Sequence, residues 1–374
     1  MKVVHFFLGK ANPNRANGVN QVLNGYGKYL PRYGVDLIMI GLSNLSKGKT
    51  LDVIEREGFK VNVFSKFSSI IRWFSENYLN IDLVHLHGVW NSYNIILARY
   101  LKKWGIPYVV TLHGGLLEDR LKQSKYYLKL IYHGLFQRRY LDNAAALHAI
   151  TKEEMYCISK HTNNEYIFFV PNGIDLEKLG NFFSPKKYEH ASKRIKFGYL
   201  GRFGPEKNIL SLLRAINSLS PSIRNSIECF LIGPLNEDYK KLKKLVYKMN
   251  LETSVKFIGP KYGIEKYKIL KSLDFYVHPA YSDVVSLAVM EAFACGLPAV
   301  ISRTSHVSYY YCSGAFVMVE PIPQDIKRGI VEMIKRRNEW EKMSYMAYNL
   351  IKDSLNWGNI SKEMCDVYER IAQV

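Results

Sequence analysis

The chain has 374 residues, of which 48% are hydrophobic and 23% charged, a balance typical of a soluble protein large enough for two domains. Its five cysteines are scattered and show no Cys-x-x-Cys pair or Cys/His ligand spacing, so the pattern supports neither a disulfide framework nor a zinc site. The N-terminal apolar run is too short for a signal peptide, and no stretch reaches the roughly 18 apolar residues of a membrane span. We therefore expect a cytoplasmic protein.

The net charge of +19 is the unusual feature of the composition. Residues 1–150 carry 20 Lys and Arg against 9 Asp and Glu, a net charge of +11, and the remainder carries +8. Nucleic acid, an anionic membrane or an anionic substrate would all suit this field. No nucleic-acid-binding motif accompanies it, so we expect no nucleic-acid partner. Diffuse basicity also favours solubility, and the charge alone does not decide between the remaining interpretations.

The chain opens with the order of elements that is typical of a doubly wound α/β domain. Lys2–Leu8 is predicted to be a buried strand, a helix is expected from about Val19 to Tyr33, and Val35–Ile40 is predicted to be the second strand. The intervening loop lacks the dinucleotide fingerprint and the Walker A lysine. Gly18 is the position in this loop where backbone could approach a ligand closely.

Histidine and glycine follow the next two predicted strands. His87 follows the strand Leu83–Leu86, and His113 follows the strand Tyr108–Leu112. Ligands of such sheets bind outside the carboxyl ends of the strands, so both side chains are candidates for a site. His85 lies inside its strand, which favours a packing role. A strand-end histidine can equally be part of the core, and the pattern alone leaves both interpretations open.

Basic and aromatic residues alternate along Leu116–Asn143. Lys122, Lys125 and Lys129 lie among tyrosines and leucines that recur at helical spacing. Two interpretations remain open for this segment. It is either a surface helix whose apolar stripe packs on the core, or an interfacial helix that inserts aromatic side chains into a bilayer rich in anionic lipid.

Composition also indicates where the chain changes domain. Thr151 with Glu154 three residues later predicts a helix that begins with a capping box. The polar segment Asp175–Arg194 is typical of a linker, and Ile195–Leu200 opens a second series of strands. An amphipathic helix is predicted from about Asn356 to the end of the chain.

The loop after Ile195–Leu200 carries charges that suit a diphosphate. Gly201 and Gly204 allow a tight turn, and Arg202 and Lys207 bring two cations to the start of a predicted helix. Amides at a helix N-terminus together with two cations neutralise a diphosphate well. As a bare pattern this signal is weak.

Two carboxylates lie close together in the stretch Tyr281–Ser302. Asp283 is in the loop after a predicted strand, and Glu291 is on the predicted helix Leu287–Ala294 that precedes the strand Ala299–Ser302. Both could face one ligand at the carboxyl end of the sheet. The alternative is a solvated loop acid and a solvated helix acid.

This stretch resembles the donor-site signature of the retaining family 4 glycosyltransferases. In chain order, that signature consists of a carboxylate, seven residues of any kind, then Glu and Ala, and finally a tail made of a small residue, Cys, Gly, any residue and Pro. The residues of this chain that match it are Glu291, Ala292, Ala294, Cys295, Gly296 and Pro298. The first carboxylate is usually Glu and is Asp283 here, and Val284-Val285-Ser286 replaces the usual glycine-rich piece. Similar matches occur in 83–115 and 198–208.

The resemblance implies an α/β protein of the GT-B fold, with two Rossmann-like doubly wound domains facing a cleft. Residues 1–173 would bind the acceptor, with the helix 356–374 crossing back to them, and 190–355 would bind the nucleotide sugar. The implied reaction is metal-independent hexosyl transfer, with retention of configuration and without a cofactor, from a UDP- or GDP-sugar to a glycan or lipid-linked hydroxyl. Such enzymes build cell-envelope polysaccharide or lipopolysaccharide.

The resemblance also implies roles for particular residues. Arg202 and Lys207 would bind the diphosphate, Asp283 the sugar and Glu291 the ribose, while His113 would orient the sugar from the other domain. The family's loops place Gly18, Gly233 and Ile258 near the nucleotide.

Two alternatives to a transferase remain at this stage. One is a nucleotide-sugar epimerase of the same fold, and the other is a basic membrane- or RNA-binding protein on a transferase scaffold that has lost its activity. For the transferase, the basic first domain predicts a peripheral protein on the cytoplasmic face of the inner membrane.

Overall fold

The computed structural model describes residues 1–12, 18–45, 49–122, 126–178, 180–188, 194–306 and 314–373. The chain forms two compact units, one of Met1–Gly173 with Trp357–Val374 and the other of Ile174–Asn356. We call them unit 1 and unit 2. Among the residues singled out above, Lys125 and parts of the expected linker lie outside the described residues.

Unit 1 contains an eight-stranded sheet in the order β3-β4-β2-β1-β5-β6-β7-β8. Its strands are β1 (Lys2–Leu8), β2 (Asp36–Leu42), β3 (Leu51–Arg56), β4 (Phe59–Phe64), β5 (Leu83–His87), β6 (Tyr108–Thr111), β7 (Ala146–Ala149) and β8 (Ile167–Phe169). All neighbours pair in parallel except β3, which forms an antiparallel hairpin with β4 at the edge. The central strands are buried on both faces and mostly apolar, as a parallel sheet covered by helices requires, but they also bury His5, His85, His87 and Thr111.

The helices of unit 1 are α1 (Gly18–Tyr29), α2 (Phe67–Asn77), α3 (Ser92–Trp104), α4 (Glu118–Lys122), α5 (Tyr126–Tyr132), α6 (Arg138–Asp142), α7 (Lys152–Ser159) and the C-terminal helix Trp357–Ala372. The C-terminal helix packs against α1. A side chain at Gly25 would overlap the Trp357 ring, so the close approach of these two helices requires glycine there. Thr151 caps α7 by accepting a hydrogen bond from the Glu154 N–H, as the sequence predicts.

Three details of unit 1 differ from the sequence expectations. The helix expected to reach Tyr33 ends at Tyr29 and continues as a 3-10 turn, because Pro31 lacks an amide proton for the helical ladder. His87 is the last residue of β5 rather than the first residue after it. The segment Leu116–Asn143 is not one helix but α4, α5 and α6, and a π-helical turn at His133–Gln137 separates the last two.

Unit 2 contains a six-stranded parallel sheet in the order β11-β10-β9-β12-β13-β14. Its strands are β9 (Ile195–Leu200), β10 (Ile227–Ile232), β11 (Val255–Phe257), β12 (Phe275–His278), β13 (Ala299–Ser302) and β14 (Phe316–Val319). Its helices are α8 (Ile209–Asn217), α9 (Pro221–Asn225), α10 (Glu237–Lys248), α11 (Gly263–Ser272), α12 (Leu287–Ala294), α13 (Pro323–Lys335) and α14 (Trp340–Asp353). Both units are therefore Rossmann-like α/β folds, as predicted.

Candidate functional site

Unit 2 brings a lysine, an aspartate and a histidine together at the carboxyl ends of two neighbouring strands. β9 and β12 pair in parallel, so the loops that follow them lie side by side. Lys207 follows β9, and its Nζ lies 2.6 Å from Oδ2 of Asp283, which follows β12. His278, the last residue of β12, donates from Nε2 to the same oxygen at 3.1 Å. We call these three residues the Lys207 cluster.

The electrostatics of the Lys207 cluster favour a charged lysine and a charged aspartate beside a neutral histidine. Burial alone would raise the pKa of Asp283, but the His278 hydrogen bond and the Lys207 charge outweigh it and hold that pKa well below its usual range. Burial lowers the pKa of His278. Both members of the ion pair have side chains that are only 13% exposed. The cluster is therefore a nearly neutral group that presents an ammonium in a largely dry environment.

Main-chain contacts fix the two loops that carry the Lys207 cluster. Asn208 adopts a left-handed conformation with φ of 58°, and its side-chain amide donates to the carbonyls of Pro279 and Pro321 at 2.9 and 2.8 Å. The Tyr281 N–H donates to the Glu206 carbonyl at 2.8 Å. These bonds join segments that are far apart in sequence, and they hold Lys207 opposite Asp283.

Glu291 lies on α12 and is held by a second cation. Its Oε1 lies 2.6 Å from Nζ of Lys266 and accepts a hydrogen bond from the Tyr267 hydroxyl at 3.3 Å. Ser286 caps α12 by accepting from the Val289 N–H, so the residue that replaces part of the family's glycine-rich piece has a structural role here.

The loop between Asp283 and α12 offers main-chain N–H groups as free hydrogen-bond donors. Within the described residues, the main-chain N–H groups of Val284 and Val285 donate to no other group. Free amides beside the Lys207 cluster are suitable for binding an electronegative ligand atom.

The side chain of Arg202 is much more exposed than that of Lys207. Its side chain is 64% exposed, and it contacts Glu206 at 3.3 Å within the same loop.

Gly233 lies against the carbonyl of Gly201, where a side chain would collide with the main chain, and its N–H donates to the Gly259 carbonyl at 3.2 Å. The neighbouring Ile258 is half-buried. The ends of β9, β10 and β11 thus meet at one edge of the sheet, beside Arg202.

His113 lies in unit 1, two residues after the end of β6, in a left-handed conformation with φ of 52°. It is half-buried, and its Nε2 lies 3.1 Å from Nδ1 of His87. The next residue, Gly114, donates its N–H to the carboxylate of the buried Glu154, which also accepts from the Ile150 N–H at 2.8 Å. Burial raises the pKa of Glu154 to about 7. Glu154 therefore holds the strained turn that presents His113.

Gly18, the remaining predicted residue of unit 1, is the exposed first residue of α1. It follows the loop after β1, so it lies at the same edge of the sheet as the residues that follow β5 and β6. Asn17, which precedes it, lies outside the described residues.

The aromatic and basic segment of unit 1 exposes its apolar side chains. None of the seven residues of α5 is buried. The exposed large apolar residues of α5 and the turn after it are Tyr126, Tyr127, Leu128, Leu130, Ile131, Leu135 and Phe136. We call these residues the α5 surface. Within α5 only Tyr132 packs partly against the core, so the interpretation in which the stripe packs on the core is wrong for the seven exposed residues, and an apolar surface rimmed by cations remains.

Several residues of these sites have no signal in the sequence. Lys266 contacts Glu291 from 25 residues away, and Asn208 bonds to the distant carbonyls of Pro279 and Pro321. His278 contacts Asp283 from five residues away, and Glu154 was predicted only as part of a helix cap. A polar residue within an otherwise apolar strand end, such as His278 in FYVH, is the one local hint. Within the described residues, no helix is both long and apolar enough to cross a bilayer.

Comparisons with known proteins agree with this arrangement. The family model described as glycosyl transferases group 1 matches residues 181–350, and the model of glycosyltransferase family 4 matches residues 16–178. An uncharacterised glycosyltransferase of Methanocaldococcus jannaschii is 27% identical over 68% of this chain and 64% of its own length. The UDP-Gal:alpha-D-GlcNAc-diphosphoundecaprenol alpha-1,3-galactosyltransferase of Escherichia coli is 29% identical over 59% of this chain and 58% of its own.

A solved structure extends the similarity to the whole fold. The HepE protein of Anabaena, determined in complex with UDP and glucose, matches with a TM-score of 0.76 over 99% of this chain and 100% of its own, at 16% identity. The two family models together match most of the chain, one on each unit. The chain belongs to the group 1 glycosyl transferases of glycosyltransferase family 4, and its fold is GT-B.

Proposed function

We propose that the chain is a retaining glycosyltransferase that moves a hexosyl group from a nucleoside-diphosphate sugar to a hydroxyl of a glycan or lipid-linked acceptor. Unit 2 would bind the donor and unit 1 the acceptor. The observation that carries the proposal is the Lys207 cluster, in which a buried ammonium, a carboxylate and free loop amides adjoin at the carboxyl ends of β9 and β12. A UDP or GDP sugar supplies both an anion for the ammonium and hydroxyls for the carboxylate.

Lys207 and Arg202 would stabilise the leaving diphosphate. Negative charge grows on the β-phosphate as the glycosidic bond breaks, and a preorganised cation in a dry site lowers the barrier to that step. Lys207 is fixed by its ion pair, whereas the exposed Arg202 can move to meet the phosphate. Two protein cations would perform the charge neutralisation that a bound metal ion performs in other transferases, so the proposed reaction is metal-independent.

Asp283 and Glu291 would each bind hydroxyls, one on the sugar and one on the ribose. Asp283 carries a full negative charge, so it accepts hydrogen bonds strongly, and Val284 and Val285 offer amides beside it. Glu291 is held by Lys266 and Tyr267 in a fixed position on α12. Gly233 and Ile258, at the ends of β10 and β11, would border the nucleobase. His113 would orient the sugar from unit 1, where Gly18 marks the neighbouring loop.

The α5 surface supports an acceptor at a membrane. Seven exposed apolar side chains form it, and Lys122 and Arg138 lie at its ends. Aromatic and aliphatic side chains suit the interface of a bilayer, and each nearby Lys or Arg adds about 1 kcal/mol of attraction to anionic lipid. The family 4 relative of E. coli is named for a diphosphoundecaprenol substrate, which is a lipid. We therefore propose a peripheral protein at the cytoplasmic face of the inner membrane that serves cell-envelope polysaccharide synthesis.

A donor screen tests the enzymatic proposal. The purified protein is incubated with UDP- and GDP-hexoses in the presence of lipid-linked and soluble glycan acceptors, and products are identified by mass spectrometry. Proton NMR of the new anomeric centre then reports whether configuration is retained. We expect transfer with retention from one nucleotide class. Release of a free epimer without an acceptor would indicate an epimerase, and no turnover of any donor would contradict the proposal.

A vesicle experiment tests the membrane proposal. Tyr127 is 78% exposed on the α5 surface, and Tyr247 is 75% exposed on α10 of unit 2, so Tyr127→Ser and Tyr247→Ser form a matched pair. The wild-type protein should co-sediment with anionic vesicles and less so at high salt. Tyr127→Ser should reduce that binding, and Tyr247→Ser should not. Absence of the wild type from anionic vesicles would leave the basic charge as a solubility feature.

A further inference from the structure

A line of hydrogen bonds begins at His113 and runs through the buried interior of unit 1. Nε2 of His113 lies 3.1 Å from Nδ1 of His87, and Nε2 of His87 lies 3.0 Å from Nδ1 of His5. Nε2 of His5 lies 3.0 Å from the hydroxyl of Tyr368. Because Tyr368 is on the C-terminal helix, the line joins the loop after β6 to the last helix of the chain.

From Tyr368 the line continues to a main-chain carbonyl. The Tyr368 hydroxyl lies 2.5 Å from Nδ1 of His85, and Nε2 of His85 lies 2.5 Å from Oγ1 of Thr111. That oxygen lies 2.7 Å from Nδ1 of His148, whose Nε2 lies 2.7 Å from the carbonyl oxygen of Val170. All five of these residues are buried. We call the whole set the histidine line.

The carbonyl at the end of the histidine line sets the direction of every bond in it. A carbonyl oxygen only accepts, so Nε2 of His148 carries the proton and its Nδ1 is an acceptor. The same reasoning then applies to each next member, which donates toward Val170 and accepts from the side of His113. Five imidazoles and two hydroxyls supply seven protons for seven hydrogen bonds. No proton is left for Nδ1 of His113.

This count requires that all five imidazoles are neutral, and their burial meets that requirement. Burial lowers the pKa of His5 and of His113 to about 3, and that of His148 to about 4. Burial, together with the neighbouring histidines, also lowers the pKa of His85 and of His87. Each ring therefore carries one N–H at neutral pH.

A cation site is the competing interpretation of three of these rings. The ligand nitrogens of His5, His85 and His87 lie within 4.8 Å of one another. A divalent cation takes a lone pair from each ligand. All six nitrogens of these rings already have hydrogen-bond partners, and the available lone pairs accept protons within the line. A cation that took a lone pair from each ring would have to break hydrogen bonds of the line, so the hydrogen-bonded arrangement is the better account of the cluster.

We propose that the histidine line fixes His113 in its Nε2–H tautomer, so that Nδ1 only accepts and binds a hydroxyl that donates to it. Tyr368 acts as a positioning residue, because its hydroxyl alone links the two halves of the line. The tautomer follows from unit 1 by itself. The identity of the hydroxyl rests on the proposed function, in which it belongs to the transferred sugar.

NMR of the free protein tests the tautomer without any turnover. Two-bond proton–nitrogen correlations of protein labelled with ¹⁵N-histidine distinguish the two neutral tautomers and the charged form. Single His→Gln variants assign the signals. We expect His5, His85, His87, His113 and His148 to be neutral Nε2–H tautomers at pH 7. A charged His113, or its Nδ1–H tautomer, would overturn the proposal. So would Zn²⁺ added alone, if it shifted the signals of the three clustered histidines.

Tyr368→Phe tests the positioning role, and Tyr26→Phe is its matched control. The Tyr26 ring packs against His5 with centroids 5.5 Å apart, and its buried hydroxyl has no hydrogen-bond partner among the described residues. In Tyr368→Phe the line loses its central link, so we expect both tautomers of His113. We also expect kcat/KM for the sugar donor to fall at least about twofold, since the Nδ1–H tautomer offers no acceptor to the hydroxyl and competes with the productive one. Tyr26→Phe should change neither quantity.

The outcomes separate this proposal from the proposed function. If Tyr368→Phe alters the His113 signal and no donor is turned over by the wild type, the histidine line stands and the transferase assignment fails. If Tyr368→Phe lowers only stability and leaves the His113 signal unchanged, the hydroxyl has a structural role and the positioning proposal is overturned. Binding of a nucleoside diphosphate alone should be unaffected in both tyrosine variants, because unit 2 carries that site.

Discussion

Substitutions in the ion pair between Lys207 and Asp283 should affect the stability and the turnover of the protein in different ways. The two charges lie 2.6 Å apart, and each side chain is 13% exposed. Lys207→Met would leave a buried carboxylate whose described partner is the single hydrogen bond from His278. Removing one member of a buried pair typically costs about 3–5 kcal/mol. We expect a loss of that order in the free energy of unfolding measured with urea, together with a fall in turnover.

A double variant separates the stability effect from the chemical one. Asp283→Asn removes the charge that Lys207→Met leaves unpaired, so the double variant should recover most of the lost stability. Turnover should nevertheless remain at least about 10²–10³-fold below that of the wild type, because the cation that faces the leaving group is still missing and the carboxylate proposed to bind the sugar is lost as well. The second substitution would then restore stability without restoring activity.

Another buried pair of unit 2 serves as the matched control. Lys186 and Asp274 lie 3.5 Å apart and are 17% and 18% exposed, but they are not part of the Lys207 cluster. Lys186→Met should lower the free energy of unfolding while leaving turnover of the folded protein unchanged. Wild-type turnover in Lys207→Met, or a double variant that is no more stable than Lys207→Met, would contradict these roles of the ion pair.

Three further predictions follow from the same structure. Arg202→Met should lower turnover without lowering stability, because the side chain is exposed; unfolding and rate measurements check both. Glu291→Ala should weaken nucleoside-diphosphate binding in calorimetry, and unchanged affinity would exclude the ribose role. Acidification should destabilise the protein below about pH 6.5, since the buried histidines of depressed pKa are neutral when folded but charged when unfolded. His5 and His113, whose pKa falls to about 3, and His148, whose pKa falls to about 4, each contribute about 1.4 kcal/mol per pH unit down to that folded pKa. Glu154, whose pKa is raised to about 7, opposes this between pH 4.5 and 7, and urea unfolding at a series of pH values measures the sum.

The sequence predicted the strands well because their signal is local. Buried parallel strands are short apolar runs that end at glycine, proline or histidine, and β1, β9 and β13 have the predicted bounds. The hairpin of β3 and β4 was not predicted, since an edge strand with alternating exposure gives only a weak apolar signal. The periodicity of Leu116–Asn143 predicted an apolar stripe but not the side that it faces, because that depends on which elements pack nearby.

The sites depend on contacts that no local pattern contains. Resemblance to family 4 singled out Lys207 and Asp283, but the sequence did not indicate that they form an ion pair across 76 residues, or that His278 supports it. The histidine line is a stronger case, since it joins four strands, the residue after β8 and the C-terminal helix. Its members are separated residues whose neighbours are apolar, so each one alone resembles an ordinary core histidine.

We propose that unit 2 binds a nucleoside-diphosphate sugar at the ends of β9 and β12, and calorimetric titration tests this binding directly. The wild type, Glu291→Ala and Arg202→Met are each titrated with UDP, GDP and ADP. We expect one of these nucleotides to bind the wild type at a single site and both substitutions to weaken its binding. If none of the three binds, or if binding is equally tight in both variants, the claim is contradicted.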